Sequence, residues 1–266
     1  MNLLKKIKLK KIKIALLNIL YPPICFGCKA PGKYICKKCE IGLLENDLVC
    51  PVCNKLSFNG KTHKSCKSKY SIDGLISIWQ YKGIIAKIVK VLKNNKNKDL
   101  VKEIVEKSLE VIIKDKNRFL PFLNFLNHNN ITITFIPKLK KKNKKLNKDI
   151  LSTLLFFRSY KNINNLCNFN QASLFAQVFA SFLDYKIKKL IFKNKKTKPQ
   201  VGLKRKERLK NLKGVFSPIT KDLTKFENVV LIDDVFTTGA TIREAAKVLK
   251  KAGVKKVWGF TIARTC

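Results

Sequence analysis

Seven of the nine cysteines in this 266-residue chain fall between Cys25 and Cys66, and they fall in pairs. The run reads Cys25-x2-Cys28, Cys36-x2-Cys39, Cys50-x2-Cys53 and then His63-x2-Cys66. Two intervening residues place both soft side chains on one tight turn, and two such turns complete a tetrahedron around a metal ion, the pattern of structural zinc. Four pairs supply eight ligands, enough for two ions. A disulfide framework is the competing reading, but the spacing is that of a zinc knuckle and the N-terminus carries no secretory signal.

The simplest assignment is sequential. Cys25, Cys28, Cys36 and Cys39 form one four-thiolate site, and Cys50, Cys53, His63 and Cys66 form a second. His63 is included because it stands where the other pairs each have a cysteine; spacing alone leaves a bystander His63 and an interleaved pairing open. Each site is saturated by protein ligands, so no position is left for water or substrate, and both read as structural. The segment has few large apolar groups and needs the metal to fold. It is expected to be a double zinc ribbon over residues 21–69 that binds or docks something. Cys167 and Cys266 lie outside the series and read as ordinary free thiols.

Ahead of the cysteines, residues 1–20 mix Lys with Leu and Ile as a basic amphipathic helix. The stretch lacks the uninterrupted apolar run and cleavage site of a secretory signal. No later segment has the roughly 18 apolar residues of a membrane span. A cytoplasmic protein is the expectation, with binding of residues 1–20 to anionic lipid or nucleic acid as the lesser alternative.

The chain is strongly basic: 57 Lys and Arg against 17 Asp and Glu, a net charge of +40. Residues 1–70 hold 15 basic and 3 acidic groups, so the excess is spread and not confined to a tail. All but 6 of the basic residues are Lys, a skew that phosphate clamps and base-edge readers, which favour Arg, do not produce by themselves. A codon bias and a polyanionic partner therefore both remain as causes.

From residue 70 onward, strand and helix signals alternate. Strands are expected at 72–81, 131–136, 228–232 and 254–263, and helices at 84–92, 100–113, 171–183 and 242–251. That alternation specifies an α/β domain over 70–266 with a mainly parallel sheet. The pattern lapses at 138–166, where seven of the eleven residues from Lys138 to Lys148 are Lys. The lapse reads as a solvated basic insertion.

The most informative segment is Val229-Val-Leu-Ile-Asp-Asp-Val-Phe-Thr-Thr-Gly-Ala-Thr241. An apolar strand delivers Asp233 and Asp234 to its C-terminal end, the edge where open α/β sheets bind ligands. The loop Thr237, Thr238, Gly239, Ala240 and Thr241 then enters a helix whose first amides, with three hydroxyls, form a cradle for one phosphate. Two carboxylates repel a phosphate, so they call for sugar hydroxyls, a divalent cation, or both.

These residues resemble the phosphoribosyl pyrophosphate (PRPP) signature of type I phosphoribosyltransferases, and the added N-terminal zinc ribbon is similar to the ComF family. The likeness extends along the chain. Residues 17–23 look like the family's lead-in to its ribbon, and Tyr81-Lys-Gly83 with Leu92-Lys93 resembles its first helical unit. Phe169-Asn-Gln-Ala172 matches the core of its Arg-Gly-Phe-Asn-Gln-Ala motif, with Cys167-Asn168 in place of Arg-Gly. Thr197, Gln200, Arg208, Asn211 and Phe216 follow in the family's order.

The resemblance implies PRPP binding with Mg²⁺. Asp233 and Asp234 would hold the ribose hydroxyls, Thr237 to Thr241 the 5′-phosphate, Lys138 the pyrophosphate loop, and residues 195–208, ending at Arg208, a hood. It also implies a role in DNA uptake or DNA processing, with single-stranded DNA and DNA-uptake or recombination proteins as partners. No acceptor-base pocket is identifiable, so whether the chain is a catalytic phosphoribosyltransferase stays open. The alternative is a zinc-ribbon adaptor that binds single-stranded DNA and carries a non-catalytic PRPP pocket.

Overall fold

A computed structural model describes residues 22–94, 97–139, 170–194 and 214–265. The N-terminal helix expected over 1–20, most of the 138–166 insertion, Cys167, Phe169, the hood with Thr197, Gln200, Arg208 and Asn211, and Cys266 lie outside the described residues.

Two strands, β6 (Asn228–Phe236) and β7 (Lys256–Arg264), run side by side and parallel at the middle of the sheet. Val229, Val230, Leu231 and Ile232 are almost wholly buried. A strand with apolar residues on both faces is stable only when both faces are covered, as in a parallel sheet between helices. β1 (Gly74–Gln80) lies beyond β7, and β2 (Ile131–Phe135) and the short β3 (Lys186–Ile187) lie beyond β6. The order is β1-β7-β6-β2-β3, with all pairings parallel. A separate antiparallel pair, β4 (Ile191–Lys193) and β5 (Phe216–Pro218), stands at one end.

The helices cover the sheet as their spacing dictates. After a short turn of helix, α1 (Lys37–Glu40), α2 (Gly83–Asn94) buries Ile85, Ile88, Val89 and Leu92, one stripe of a 3.6-residue period. α3 (Lys98–Lys114) starts at Asn97, whose side chain accepts from the Leu100 amide at 2.9 Å, a standard N-cap. α5 (Gln171–Leu183) and α6 (Ala240–Lys251) lie where the sequence places them, within two residues. So do α2, α3 and the four long strands, except that β6 runs four residues past Ile232 and takes in both aspartates.

The sequence reading assigns no element to 116–126, where α4 (Lys116–Leu126) forms despite Pro121. A proline there has no N–H for the carbonyl of Asn117. Asn59, from the cysteine-rich segment, fills the gap: its Nδ2 donates to the carbonyls of Asn117 and Arg118, both at 2.9 Å. Phe119, Phe122 and Phe125 then anchor the helix in the core, with the Phe122 ring 5.4 Å from Trp258. A distant side chain and a core contact thus rescue a local rule violation that no single-segment reading anticipates.

The cysteine-rich segment is packed into this scaffold. Ile35 and Leu48 belong to the same buried cluster as Trp79 and Phe260. The Asn46 amide donates to Ile78 O, and the Gln80 amide donates to Leu44 O, both at 2.8 Å, so the segment covers the free edge of β1. From α3, the Glu103 carboxylate accepts from the amides of Tyr34 (3.2 Å) and Ile35 (2.7 Å), and Lys107 pairs with Glu40 at 2.5 Å.

Candidate functional site: two thiol clusters and a cleft at the sheet edge

The structure brings the cysteines together in the sequential arrangement. The ligand atoms of Cys25, Cys28, Cys36 and Cys39 all lie within 4.8 Å of one another, and so do those of Cys50, Cys53, His63 and Cys66. Cys28 and Cys36 Sγ are 3.6 Å apart, close to the roughly 3.8 Å edge of a tetrahedron with 2.3 Å metal–sulfur bonds. The Cys36 amide donates to Cys25 Sγ, and the His63 amide donates to Cys50 Sγ, each at 3.5 Å.

His63 is no bystander: its Nδ1 is 3.4 Å from Cys53 Sγ, while Nε2 lies 2.9 Å from the Leu56 carbonyl. A carbonyl can only accept, so Nε2 carries the proton and Nδ1 presents its lone pair toward the thiols, as an outer-shell partner orients a metal-binding imidazole. Gly27 permits the first cluster's geometry, because a Cβ there would stand 2.6 Å from Cys39 Sγ.

The thiols themselves call for a cation. Burial raises Cys25, but amides of Cys36, Cys28 and Gly27 outweigh it and hold it down to about 6. Burial and the neighbouring thiols push Cys39 up to about 12. One thiolate forms readily, and the next pays for its proximity; a divalent ion at the centre removes that repulsion. Both donor sets therefore fit a metal ion.

The second feature is a cleft of about 360 Å³ between the C-terminal ends of β2 and β6. The chain leaves β2 toward β3 on one side and leaves β6 toward β7 on the other, which makes this gap the topological switch point of the sheet. Pro137 and Lys138 follow β2 on one wall; Asp233, Asp234, Thr237 and Thr241 form the other. Burial, then the adjacent Asp234 charge, pushes the Asp233 carboxyl well above the usual carboxylate range. The Asp234 amide, 2.9 Å from Asp233 Oδ1, and the Lys138 charge pull it back in part. The Val235 amide donates to Asp234 Oδ1 at 2.8 Å, so both carboxylates are held by the backbone of their own strand.

Behind Thr237 the loop turns sharply. Gly239 has φ of +76°, and a Cβ there would lie 2.7 Å from the Phe236 ring and 3.1 Å from Pro51 O. Conformation and space both demand glycine. Thr238 Oγ1 receives the Ala240 amide at 3.4 Å, and α6 begins at Ala240, leaving its first turn directed at the cleft mouth beside Thr241. Of the sequence-predicted residues, Lys138, Asp233, Asp234, Thr237 and Thr241 line this cleft, Thr238, Gly239 and Ala240 form the turn between the two threonines without lining it, and Arg208 lies outside the described residues.

Three cleft residues escaped the sequence reading as site residues: Lys93, Gln171 and Lys193. Burial lowers the Lys193 pKa. Gln171 Nε2 donates to Val89 O at 3.3 Å, which fixes the amide's orientation, and the buried Oε1 has no partner among the described residues. Gln171 had a signal in its family motif; Lys193, one of many lysines, had none.

Comparison with known proteins agrees with this geometry. Residues 133–264 match the model of the phosphoribosyl transferase domain. Competence protein F of Haemophilus influenzae is 39% identical over 99 residues, which are 36% of this chain and 43% of that protein. Competence protein ComFC of Streptococcus pneumoniae is 44% identical over 46 residues, which are 17% of this chain and 21% of that protein. The chain therefore spans less than half the length of the curated relatives it matches. The chain carries a phosphoribosyltransferase-type domain, and the domain match, the two relatives and the pair of thiol clusters ahead of the α/β domain together support the ComF family.

Proposed function

We propose that the cleft binds PRPP together with Mg²⁺, that each thiol cluster holds a structural Zn²⁺, and that the protein acts in DNA uptake or DNA processing. The observation that carries the reading is the convergence, at the switch point, of Asp233, Asp234, Thr237, Thr241 and Lys138 on one cavity. A phosphorylated ribose with a pyrophosphate arm calls for acceptors, an anion cradle and a cation, and the cavity offers residues of each kind.

Asp233 and Asp234 accept hydrogen bonds from ribose hydroxyls, which orients the ring. The first amides of α6 and the loop hydroxyls hold the 5′-phosphate at the positive end of the helix. Lys138, Lys93 and Lys193 line the cavity and balance the charge of the remaining phosphates. Asp233 and Asp234 would also face a bound Mg²⁺, which would supply charge neutralisation to the pyrophosphate oxygens. A protein built this way acts by positioning and by charge stabilisation.

Calorimetric titration with PRPP tests the reading. We expect binding that needs Mg²⁺ and raises the melting temperature, by an amount equivalent to about 2.7 kcal/mol at a hundredfold excess over Kd. Ribose 5-phosphate is expected to bind more weakly because it lacks the pyrophosphate arm. No heat and no thermal shift with PRPP and Mg²⁺ would remove the assignment.

A second reading, a single-stranded-DNA adaptor, draws on one specific observation. Phe58 is 92% exposed and Leu56 71%, and Lys55, Lys61, Lys64, Lys67 and Lys69 of the same segment are all exposed. An exposed aromatic ring in a lysine-rich segment suits base stacking beside a phosphate backbone. Under this reading, single-stranded DNA affinity falls steeply with added salt, and Phe58→Ala weakens it about tenfold. A salt-independent affinity, or no effect of Phe58→Ala, counts against it.

A further inference from the structure

We propose that Arg243 is a positioning residue that ties the second thiol cluster to the phosphate loop, so that retention of metal by Cys50, Cys53, His63 and Cys66 and retention of phosphate by Thr237–Thr241 are coupled. The inference rests on the proposed reading of the cleft as a PRPP site and of the cluster as a metal site.

Arg243 stands in the first turn of α6, and its amide donates to Gly239 O at 2.9 Å. Its Nη1 donates to the carbonyls of Pro51, at 3.4 Å, and Val52. These are the two residues between Cys50 and Cys53, so their carbonyls belong to the turn that sets the separation of two metal ligands. The contact is doubled from the loop side, where Pro51 O lies so close to Gly239 that a Cβ would sit 3.1 Å from it. One knuckle therefore touches the phosphate loop at its glycine and the following helix at its first turn.

The knuckle keeps its shape only while its thiols are held. Cys50 is wholly buried, and its Sγ accepts from the His63 amide. Without an ion nothing would hold the four donors at this spacing, and the Pro51 and Val52 carbonyls would be free to move away from Arg243 and Gly239. The α6 turn then loses the support that aims its amides at the cleft. Arg243 suits this role because Nη1 carries two N–H donors, one for each carbonyl, held in the plane of a permanently charged guanidinium. The first cluster is fastened elsewhere, through Glu103 on α3, and serves as an internal reference.

Coupling between two sites is reciprocal. The test is a time course of cysteine alkylation in the full zinc-loaded chain. A zinc-selective chelator that ignores Mg²⁺ is present, and labelling is read peptide by peptide by mass spectrometry with and without saturating PRPP and Mg²⁺. PRPP is expected to slow labelling of Cys50, Cys53 and Cys66 about fivefold or more, and to leave Cys25, Cys28, Cys36 and Cys39 unchanged.

In Arg243→Met, calorimetry should still show PRPP binding, weakened by about fivefold or more by the lost coupling, while the protection disappears; Arg243→Lys should give partial protection. If wild-type protein binds PRPP and both clusters label as before, the coupling is wrong. Full protection in either variant removes Arg243 from the link. If wild-type protein does not bind PRPP at all, the reading of the cleft itself falls, and the coupling with it.

Discussion

Replacing Asp233 and Asp234 together by Asn is expected to weaken PRPP binding in the presence of Mg²⁺ by roughly 10²–10⁴-fold. In the proposed site each carboxylate would offer charge-assisted acceptance to a ribose hydroxyl, worth about 1.5–3 kcal/mol, and each kilocalorie-scale loss multiplies into Kd. An Asn keeps the shape and one acceptor oxygen but turns the other into a donor and discards the charge.

The same variant should not be less stable without ligand. Asp233 is pushed well above the ordinary carboxylate range in the folded chain by burial and by Asp234. The native state therefore holds that proton at pH values where the unfolded chain has released it, and stability falls as pH rises across that window. At neutral pH, above the ordinary range, Asn removes this cost, so the melting temperature without ligand should hold or rise while affinity collapses. Calorimetry and a thermal melt on one preparation check both halves. Retained affinity would show that the pair is not the ribose contact, and a large loss of stability would mean that the carboxylates serve the fold.

Cys50→Ser should have the largest effect on the fold. The thiol is fully buried and is one of four donors in the second cluster. A structural zinc contributes on the order of 10 kcal/mol to a small module, comparable to the entire stability of a domain. Loss of the ion frees the knuckle, and with it the segment whose Leu44 and Asn46 backbone covers β1 and whose Asn59 fills the carbonyl left open by Pro121. Elemental analysis should fall from about two zinc per chain to about one. The melting temperature should drop by about 10 °C or more. Two zinc retained, or an unchanged melt, would contradict the assignment of the cluster.

Local patterns in this sequence carry a great deal. The apolar run Val229–Ile232 specifies a strand buried on both faces, and the 3.6-residue spacing of Ile85, Ile88, Val89 and Leu92 specifies a helix packed on one stripe. The Cys-x2-Cys turns and the Asp-Asp-x-x-Thr-Thr-Gly loop are legible for the same reason: the chemistry of each is completed within a few residues. Lys193 was not legible, because in a chain with 57 basic residues one lysine has no distinguishing neighbour. Nor was α4, whose Pro121 reads as a break until Asn59, from a distant turn, is seen to satisfy Asn117.

The sequence by itself determined the ligand types, the strand-and-helix alternation and the loop that meets the cleft, since each follows from short-range geometry and side-chain chemistry. Only the tertiary structure decided which cysteine pairs share a cluster, that β2 and β6 lie side by side so that Lys138 faces the aspartates, and that Pro51 and Val52 rest on Arg243. These depend on strand order and on packing between segments far apart in the chain, where many arrangements satisfy the same local preferences and only the shared core selects one.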